Sequence, residues 1–409
     1  MSDKPADKTD KYMFKKSARP VSRRTFLTAA GFSGLGLALS RRGLSHGPFL
    51  RNRELFVYIG TYTTGKSEGI YLYRLDLSSG ELKLAGTTHH VVNPSFLALS
   101  RDRRYLYAVN EVDEFAGAKS GAVSAFAVDP TSGALRFLNQ QPSLGGSPCY
   151  VEVDSERRFV LTANYVGGNV SVLAVHRDGS LGAAIDMKQG HGSGPNRERQ
   201  EGPHAHCIVL DHTNRFAYSC DLGTDRIMVA RFDDRTGKLL PAAQPFVELK
   251  PGDGPRHFVI HPNGGYAFVI NELHSTVAAF ARDQANGSLI QTNTISTLPN
   301  DFAGTNTGAD IHVSADGRFV YCSNRGHDSI AIFAFDGKGS LTAIAHEKSL
   351  GSTPRNFAID PTGRFLLVAN QKSDSIVVFR RDEHTGRLSS VGHVEAPSPV
   401  CIKFMTTLS

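Results

Sequence analysis

The sequence predicts an all-β fold, a seven-bladed β-propeller of four-stranded antiparallel blades. Three observations predict it. First, a short unit returns seven times. An aromatic opens a β-rich run and a small polar residue follows five places later, as Phe56/Thr61, Tyr105/Asn110, Phe159/Asn164, Phe216/Asp221, Tyr266/Asn271, Phe319/Asn324 and Phe365/Asn370. The copies recur every ~45–57 residues, the range of propeller blades. Second, each copy carries four short β runs between Gly, Pro, Asn and Asp turns, and no stretch has a long helical period. Third, the two ends are complementary. Phe56–Gly60 reads as a second strand with no first strand before it, and Ser398–Phe404 as a first strand with no second after it. Pairing 398–404 with 56–60 completes a seventh blade and removes the open sheet edges. A solenoid would instead need capping repeats.

In chain order, residues 1–50 read as a leader and linker, and 51–409 as the propeller. Ser22-Arg23-Arg24-Thr25-Phe26-Leu27 resembles the twin-arginine export motif, and an apolar Gly/Ala-rich stretch, Phe26 to Leu39, follows it. That stretch is too short and small-sided to read as a membrane span. An Ala-x-Ala cleavage site is missing. The expected location is periplasmic or extracellular, or cytoplasmic if the leader does not function. The blade at 254–295 shows the repeat in full. Its strands are Arg256–His261, Tyr266–Ile270, Thr276–Ala281 and Ser288–Thr294, with turns at Pro262–Gly265, Asn271–Ser275 and Asp283–Gly287. The same order holds in 93–140, 147–186, 202–248, 307–348 and 353–395. The Asn or Asp after each second strand reads as structural, accepting turn hydrogen bonds. Cys149, Cys207, Cys220, Cys322 and Cys401 lie in predicted strands and lack zinc spacing, so they read as small buried hydrophobes. The spacing allows Cys207 and Cys220 to face each other across an antiparallel pair, where a disulfide is the lesser reading because directly paired strand cysteines are strained.

Charge excludes one class of partner. The whole chain carries a formal +6. Residues 1–50 hold ten Lys/Arg and three Asp/Glu, a balance of +7, so the remaining 359 residues balance at −1. The basic character belongs to the leader, and no nucleic-acid surface is expected on the domain. The domain is expected to be a monomer with no membrane span.

Function is sought where the repeats differ. In a propeller the first strand of each blade lines the central channel. The residues after the Pro that opens it are Ser95, Cys149, His204, Arg256, Asp310, Arg355 and Val400, with Ala309 standing where Pro would be before Asp310. Two places on come Leu97, Val151, His206, Phe258, His312, Phe357 and Ile402, on the same face by the period of two. Just past the second strand come Tyr62, Glu111, Tyr165, Leu222, Glu272, Arg325 and Gln371. Ionisable groups crowd four consecutive blades of the first column, which suggests a polar site on one side of a channel mouth. The plain alternative is structural: Arg256 and Arg325 as staples between blades, tied to Glu272 and Asp310.

Four segments in blade order carry a resemblance. They are His191–Asn196 with Arg199-Gln200 and Gly202–His206; Gly254–His257 with Val269–Leu273; Ala309–His312; and Ser323–Ile330. Over roughly residues 55–405 the chain resembles the seven-bladed β-propeller lactonase family, which includes a bacterial type of 6-phosphogluconolactonase and the fungal carboxymuconate cyclases. The resemblance implies lactone chemistry. The cyclase branch's catalytic His, two Arg and Glu correspond to His204, Arg256, Arg325 and Glu272.

Hydrolysing a lactone needs an activated water and help for an oxyanion. His204 is the expected base, with Glu272 orienting it or sharing the proton transfer. Arg256 and Arg325 would stabilise the oxyanion or hold an anionic substituent. Arg355, Asp310, His206, His312 and Arg199 are the expected substrate contacts. The expected partner is an anionic small-molecule lactone, with 6-phosphogluconolactone the leading candidate. No cofactor or metal is expected: Asp310, His312 and Glu272 could supply ligands, yet no contiguous ligand motif exists. Two rival readings stand, a cyclase that forms the lactone and an exported binding or scaffold propeller without chemistry. A scaffold has no reason to hold the His204/Arg256/Glu272/Arg325 set.

Overall fold

The computed structural model describes residues 53–407. The twin-arginine motif and the apolar run lie outside the described residues. Within them the chain forms seven four-stranded antiparallel sheets. Six are consecutive meanders, running from Leu97–Leu99 through Leu135–Pro142 in blade II to Pro354–Ile359 through Leu388–Glu395 in blade VII. Blade I is composite. Its inner strand is Pro399–Thr406, which pairs antiparallel with Glu54–Thr61, followed outward by Gly69–Asp76 and Leu82–His89. Ring closure is therefore as expected, with the closing strand two residues longer at its far end. One 3₁₀ turn, Gln371–Ser373, is the only helical element among the described residues.

The second strands are fully buried, and this explains why they read as unbroken apolar runs. Leu106, Tyr107, Ala108 and Val109 are sealed from solvent, as are Leu366, Leu367, Val368 and Ala369. Blades are stapled through the tyrosines of these strands. Tyr58, Tyr107, Tyr218 and Tyr321 each donate their buried hydroxyl to a glycine carbonyl in the outer hairpin of the next blade, at 2.7, 3.2, 2.8 and 2.8 Å. The repeated Asn or Asp is structural and accepts as expected, as Asp221 Oδ1 does from Gly223 N at 3.0 Å and Asn324 Oδ1 from Thr297 Oγ1 at 2.7 Å, and the Asn amides also donate. Asn324 Nδ2 reaches Thr297 O at 2.7 Å and Asn370 Nδ2 reaches Ser349 O at 3.2 Å, each tying the end of the second strand to the segment that opens the blade.

The inner strands differ from a plain period of two. Six of the seven carry a register shift one or two residues from their start, between Pro148/Tyr150, Ala205/Cys207, Pro255/His257, Gly308/Ile311, Pro354/Asn356 and Gly60/Thr61. A bulge sets two residues against one on the partner strand and re-aims them. The register therefore corrects the sequence columns. The ring level of Arg256 is Ser95, Cys149, His206, Arg256, Ala309, Arg355 and Val400. The next level is Phe96, Tyr150, Cys207, His257, Asp310, Asn356 and Cys401. His206, not His204, shares a level with Arg256, and Asp310 lies one level deeper. Cys207 and Cys220 are register partners and, like the other three cysteines, are free buried thiols.

Candidate active site

The site lies at the channel mouth where the inner strands begin. Glu272 is its hub. The residue follows Asn271, the end of its second strand, and its backbone N–H is held by Gly254 O at 2.7 Å. Its buried carboxylate meets three guanidinium groups: Arg199 at 2.6 Å on Oε1, and Arg256 and Arg325 at 2.9 Å each on Oε2. Burial alone would raise this carboxyl, but Arg325, Arg256 and Arg199 outweigh it and hold it well below the usual range. It is ionised at any working pH. The staple reading of Arg256 and Arg325 is half met, because both pair with Glu272 and neither pairs with Asp310.

Each arginine arrives by a different route. Arg256 is buried on its bulge, with a second bond to Ala309 O at 2.5 Å and a third from Nη1 to His257 Nε2 at 3.1 Å. Arg325 ends its second strand and donates to Gly308 O at 3.0 Å, while its Nε is buried with no protein partner. Arg199 comes from the 190–203 loop. That loop is pinned by buried Gln200, whose amide donates to Leu222 O at 2.9 Å and Asp225 Oδ1 at 2.8 Å. Arg199 thus sits over the mouth with 37 % of its side chain exposed.

His204 joins through Tyr165 rather than through Glu272. Its ring stacks on Tyr165 at 4.4 Å and 13°. Tyr165 Oη accepts from Arg199 at 3.3 Å, which leads on to Glu272. The imidazole Nδ1 donates to Tyr165 O at 3.0 Å and Nε2 faces Glu201 Oε1 at 3.0 Å. The expectation that Glu272 orients His204 is therefore corrected: the Tyr165 carbonyl and Glu201 do so, because Glu272 is saturated by cations. Local packing fixes the backbone. Asp221 Oδ1 accepts from His204 N at 2.7 Å and from Gly223 N at 3.0 Å. A Cβ at Gly223 would lie 1.8 Å from Gly202 O, so only glycine permits this approach.

On the other side of the mouth Arg355 donates to Tyr62 Oη at 2.8 Å. Tyr62 in turn donates to Glu111 at 2.9 Å, and Ser95 Oγ donates to the same carboxylate. Arg355, Arg256, Glu111, Ser95 and Cys149 surround a cavity of about 10 Å³, room for about one water. His206 packs edge-on to Tyr165 at 5.5 Å and to His257 at 5.4 Å. Burial and nearby Arg256 push it well below the ordinary histidine range, so it is a neutral ring.

The structure does not bring Asp310 and His312 to this carboxylate, against expectation. Asp310 is buried one level down, accepting from His257 Nδ1 at 2.7 Å, His312 Nε2 at 3.1 Å, Ile311 N at 2.9 Å and Asn356. His312 lines a cavity at the opposite mouth. The reason is that Gly308, not Ala309, stands at the Pro position of this strand, opposite Asn324 as Pro255 is opposite Asn271, so the residues after it lie one level deeper than the Pro-based alignment places them. Sequence reasoning also missed Tyr62, Glu111, Tyr165 and Glu201 as members. Three of these stand in the column after the second strands, so the column itself was the signal; Glu201 had none. Among the described residues no group of three His, Cys, Asp or Glu is placed to hold a metal ion.

Comparisons with known proteins agree with this fold. The family model described as "Lactonase, 7-bladed beta-propeller" matches residues 56–404. A 6-phosphogluconolactonase of Bacillus subtilis is 39 % identical over 350 residues, covering 85 % of this chain and 97 % of the relative. One of Formosa agariphila is 37 % identical, covering 82 % and 95 %. The solved structure of a periplasmic gluconolactonase of Pseudomonas aeruginosa superposes with a TM-score of 0.81 at 35 % identity, covering 87 % of this chain and all of that one.

Proposed function

Because the chain belongs to the seven-bladed β-propeller lactonase family, we propose that it hydrolyses a sugar-acid lactone bearing an anionic group, with 6-phosphogluconolactone the first candidate. The observation that carries the reading is the trio of guanidinium groups on one buried carboxylate beside a histidine. Glu272 holds the cations in place and stays ionised, so it neither gives nor takes the proton. With exposed Glu201 swung aside, His204 Nε2 takes a proton from water while Nδ1–H stays anchored on a backbone carbonyl, and Glu201 returns to receive the new N–H. Hydroxide adds to the lactone carbonyl. The oxyanion is met by Arg256 or Arg325 N–H groups, the acyl C–O bond breaks, and the proton passes from His204 to the departing ring oxygen. Arg355 and Arg199 contact the substrate's phosphate or carboxylate, and His206 packs against its body.

Residues 1–50 are proposed to export the domain by the twin-arginine route. Arg23-Arg24 followed by an apolar run supports this, as does the periplasmic location of the Pseudomonas neighbour. Replacing both arginines by lysine should leave the protein in the cytoplasm; undiminished export of that variant would refute the route.

Activity is tested by initial rates on 6-phosphogluconolactone and its unphosphorylated analogue. His204→Asn and Arg325→Met should each lower kcat by about 10²–10³-fold. Arg355→Met should raise KM for the phosphorylated substrate alone. Full turnover in His204→Asn removes it as the base, and a parent inactive on every lactone refutes the assignment.

A further inference from the structure

The channel has a second mouth, where the inner strands end, and its lining is divided in two. The seven residues at this level are Ala98, Glu152, Val209, Val259, His312, Ala358 and Lys403, each opposite the same position of its second strand: Tyr107, Leu161, Tyr218, Phe268, Tyr321, Leu367 and Tyr58. Going round the ring, Lys403 stands between two alanines, with Glu152 and His312 beyond them. Val209 and Val259 fill the facing side. The result is a cavity of about 300 Å³ with one polar and one apolar wall. Its floor is a layer of rings. Phe96 stacks on Tyr150 at 4.2 Å, and both meet His257 edge-on at 5.8 and 5.4 Å. That layer separates the cavity from the Arg256 level, so the cavity is not a rear entrance to the candidate active site.

The polar wall is rich in donors left without protein acceptors. Lys403 Nζ sits 4.6 Å from the centre of the Phe96 ring and has no carboxylate within 4 Å among the described residues. His312 is 34 % exposed and gives its Nε2–H to Asp310, which leaves Nδ1 an acceptor, so it shapes this wall without adding a donor. The Tyr150 hydroxyl makes no hydrogen bond among the described residues, and burial keeps its pKa well above the usual value, so it remains a donor. Two acids lie near Lys403: Asp310, which lines the cavity but spends its oxygens on His257, His312, Ile311 and Asn356, and Glu152, which burial pushes up to about 7. Glu152 is a weak counter-charge at neutral pH. Cavities of this size and pattern, apolar with a few convergent polar groups, are what small ligands fill.

We propose that this second mouth binds a small organic monocarboxylate with a flat apolar body, its carboxylate received by Lys403 and Tyr150 and its body laid on Val209 and Val259. Such a ligand matches the charge of the one wall and the hydrophobicity of the other, and its site is independent of the lactone site.

The test is ligand-observed fluorine NMR with 4-fluorobenzoate, and 4-fluorobenzamide as its neutral isostere, on the folded domain at neutral pH. Benzoate should bind at millimolar concentration and the benzamide at least about tenfold more weakly. Lys403→Met should abolish benzoate binding, and Tyr150→Phe, which keeps the shape, should weaken it. Arg325→Met, at the other mouth, should leave it unchanged. Each variant's melting curve checks that it is folded. The proposal is overturned if benzoate does not bind at about 10 mM, if folded Lys403→Met binds it as well as the parent, or if Arg325→Met loses it.

Discussion

Glu272 shows what a single buried side chain contributes when its environment is all of one sign. Three guanidinium groups within 2.9 Å are compatible with burial only if the carboxylate stays charged. Glu272→Gln should therefore cost about 3–5 kcal/mol of stability, since it leaves buried cations uncompensated. It should also abolish turnover, and a variant that melts like the parent would contradict the hub. His257 makes the opposite case. Its Nε2 accepts from Arg256 and its Nδ1 donates to Asp310, so it works as a neutral ring, and burial with Arg256 beside it pushes it down to about 4. A histidine lowered in the folded state binds its proton first in the unfolded chain. Stability is then intact above pH ~6.5 and falls as pH drops from ~6.5 to ~4. That gap, at 1.36 kcal/mol per pH unit, is worth about 3 kcal/mol. Denaturant titrations at pH 7.5 and 4.5 should show the parent losing about 2–3 kcal/mol more than His257→Gln; parallel losses would refute it. The sequence made Glu272, Arg256 and Arg325 visible because they break a repeat. It could not show that three cations would saturate the carboxylate, since Arg199 comes from a loop outside the repeat.

The inner strands explain why two neighbouring residues can share one channel. A strict period of two would bury every second residue between blades, and the sequence columns were drawn on that rule. The bulges near the strand starts suspend it, so Arg256 and His257 both reach the channel, and so do Cys149 and Tyr150. Strand positions were legible to within two residues from turns and apolar runs. The bulges are not, because no turn residue marks them, and Asp310 and His312 lie one level deeper than the columns place them because Gly308, not Ala309, stands at the Pro position. The second strands carry a different device. Tyr218 Oη donates to Gly287 O at 2.8 Å and accepts from buried Arg282 at 2.7 Å, which also pairs with Asp211 at 2.7 Å. Tyr218→Phe should cost about 1–3 kcal/mol, because the Arg282 donor and Gly287 acceptor are left unpaired in the core. Urea melts read this directly, and a loss within about 0.5 kcal/mol would show that water replaces the hydroxyl.

At the scale of the whole molecule one strand decides whether there is a ring. The sequence showed this through its mismatched ends, which only closure reconciles. Pro399–Thr406 supplies the inner edge of blade I and pairs with Glu54–Thr61 over its full length. Val400, Ile402 and Met405 are each at most 3 % exposed. At about 1.5–3 kcal/mol per buried side chain, these three approach the whole stability of a domain, about 5–15 kcal/mol. Deleting 398–409 should also bare the edge of Glu54–Thr61, so aggregation or rapid proteolysis is expected. Loss of folding alone would not separate ring closure from a general need for the last strand. A circular permutant does. Thr406 is the register partner of Leu55, and Thr407 Oγ1 bonds Glu54 O at 3.2 Å, so a short turn joins 407 to 54 without strain. The order 398–407, turn, 54–397 keeps every blade but makes blade I a single meander and moves the chain break to the blade VII–blade I junction. If the strand acts only through its pairing, the permutant should melt within a few degrees of the parent and keep its lactonase rate, while the deletion does neither. A permutant as unstable as the deletion would mean that the covalent order of the chain, and not strand pairing, holds the ring together.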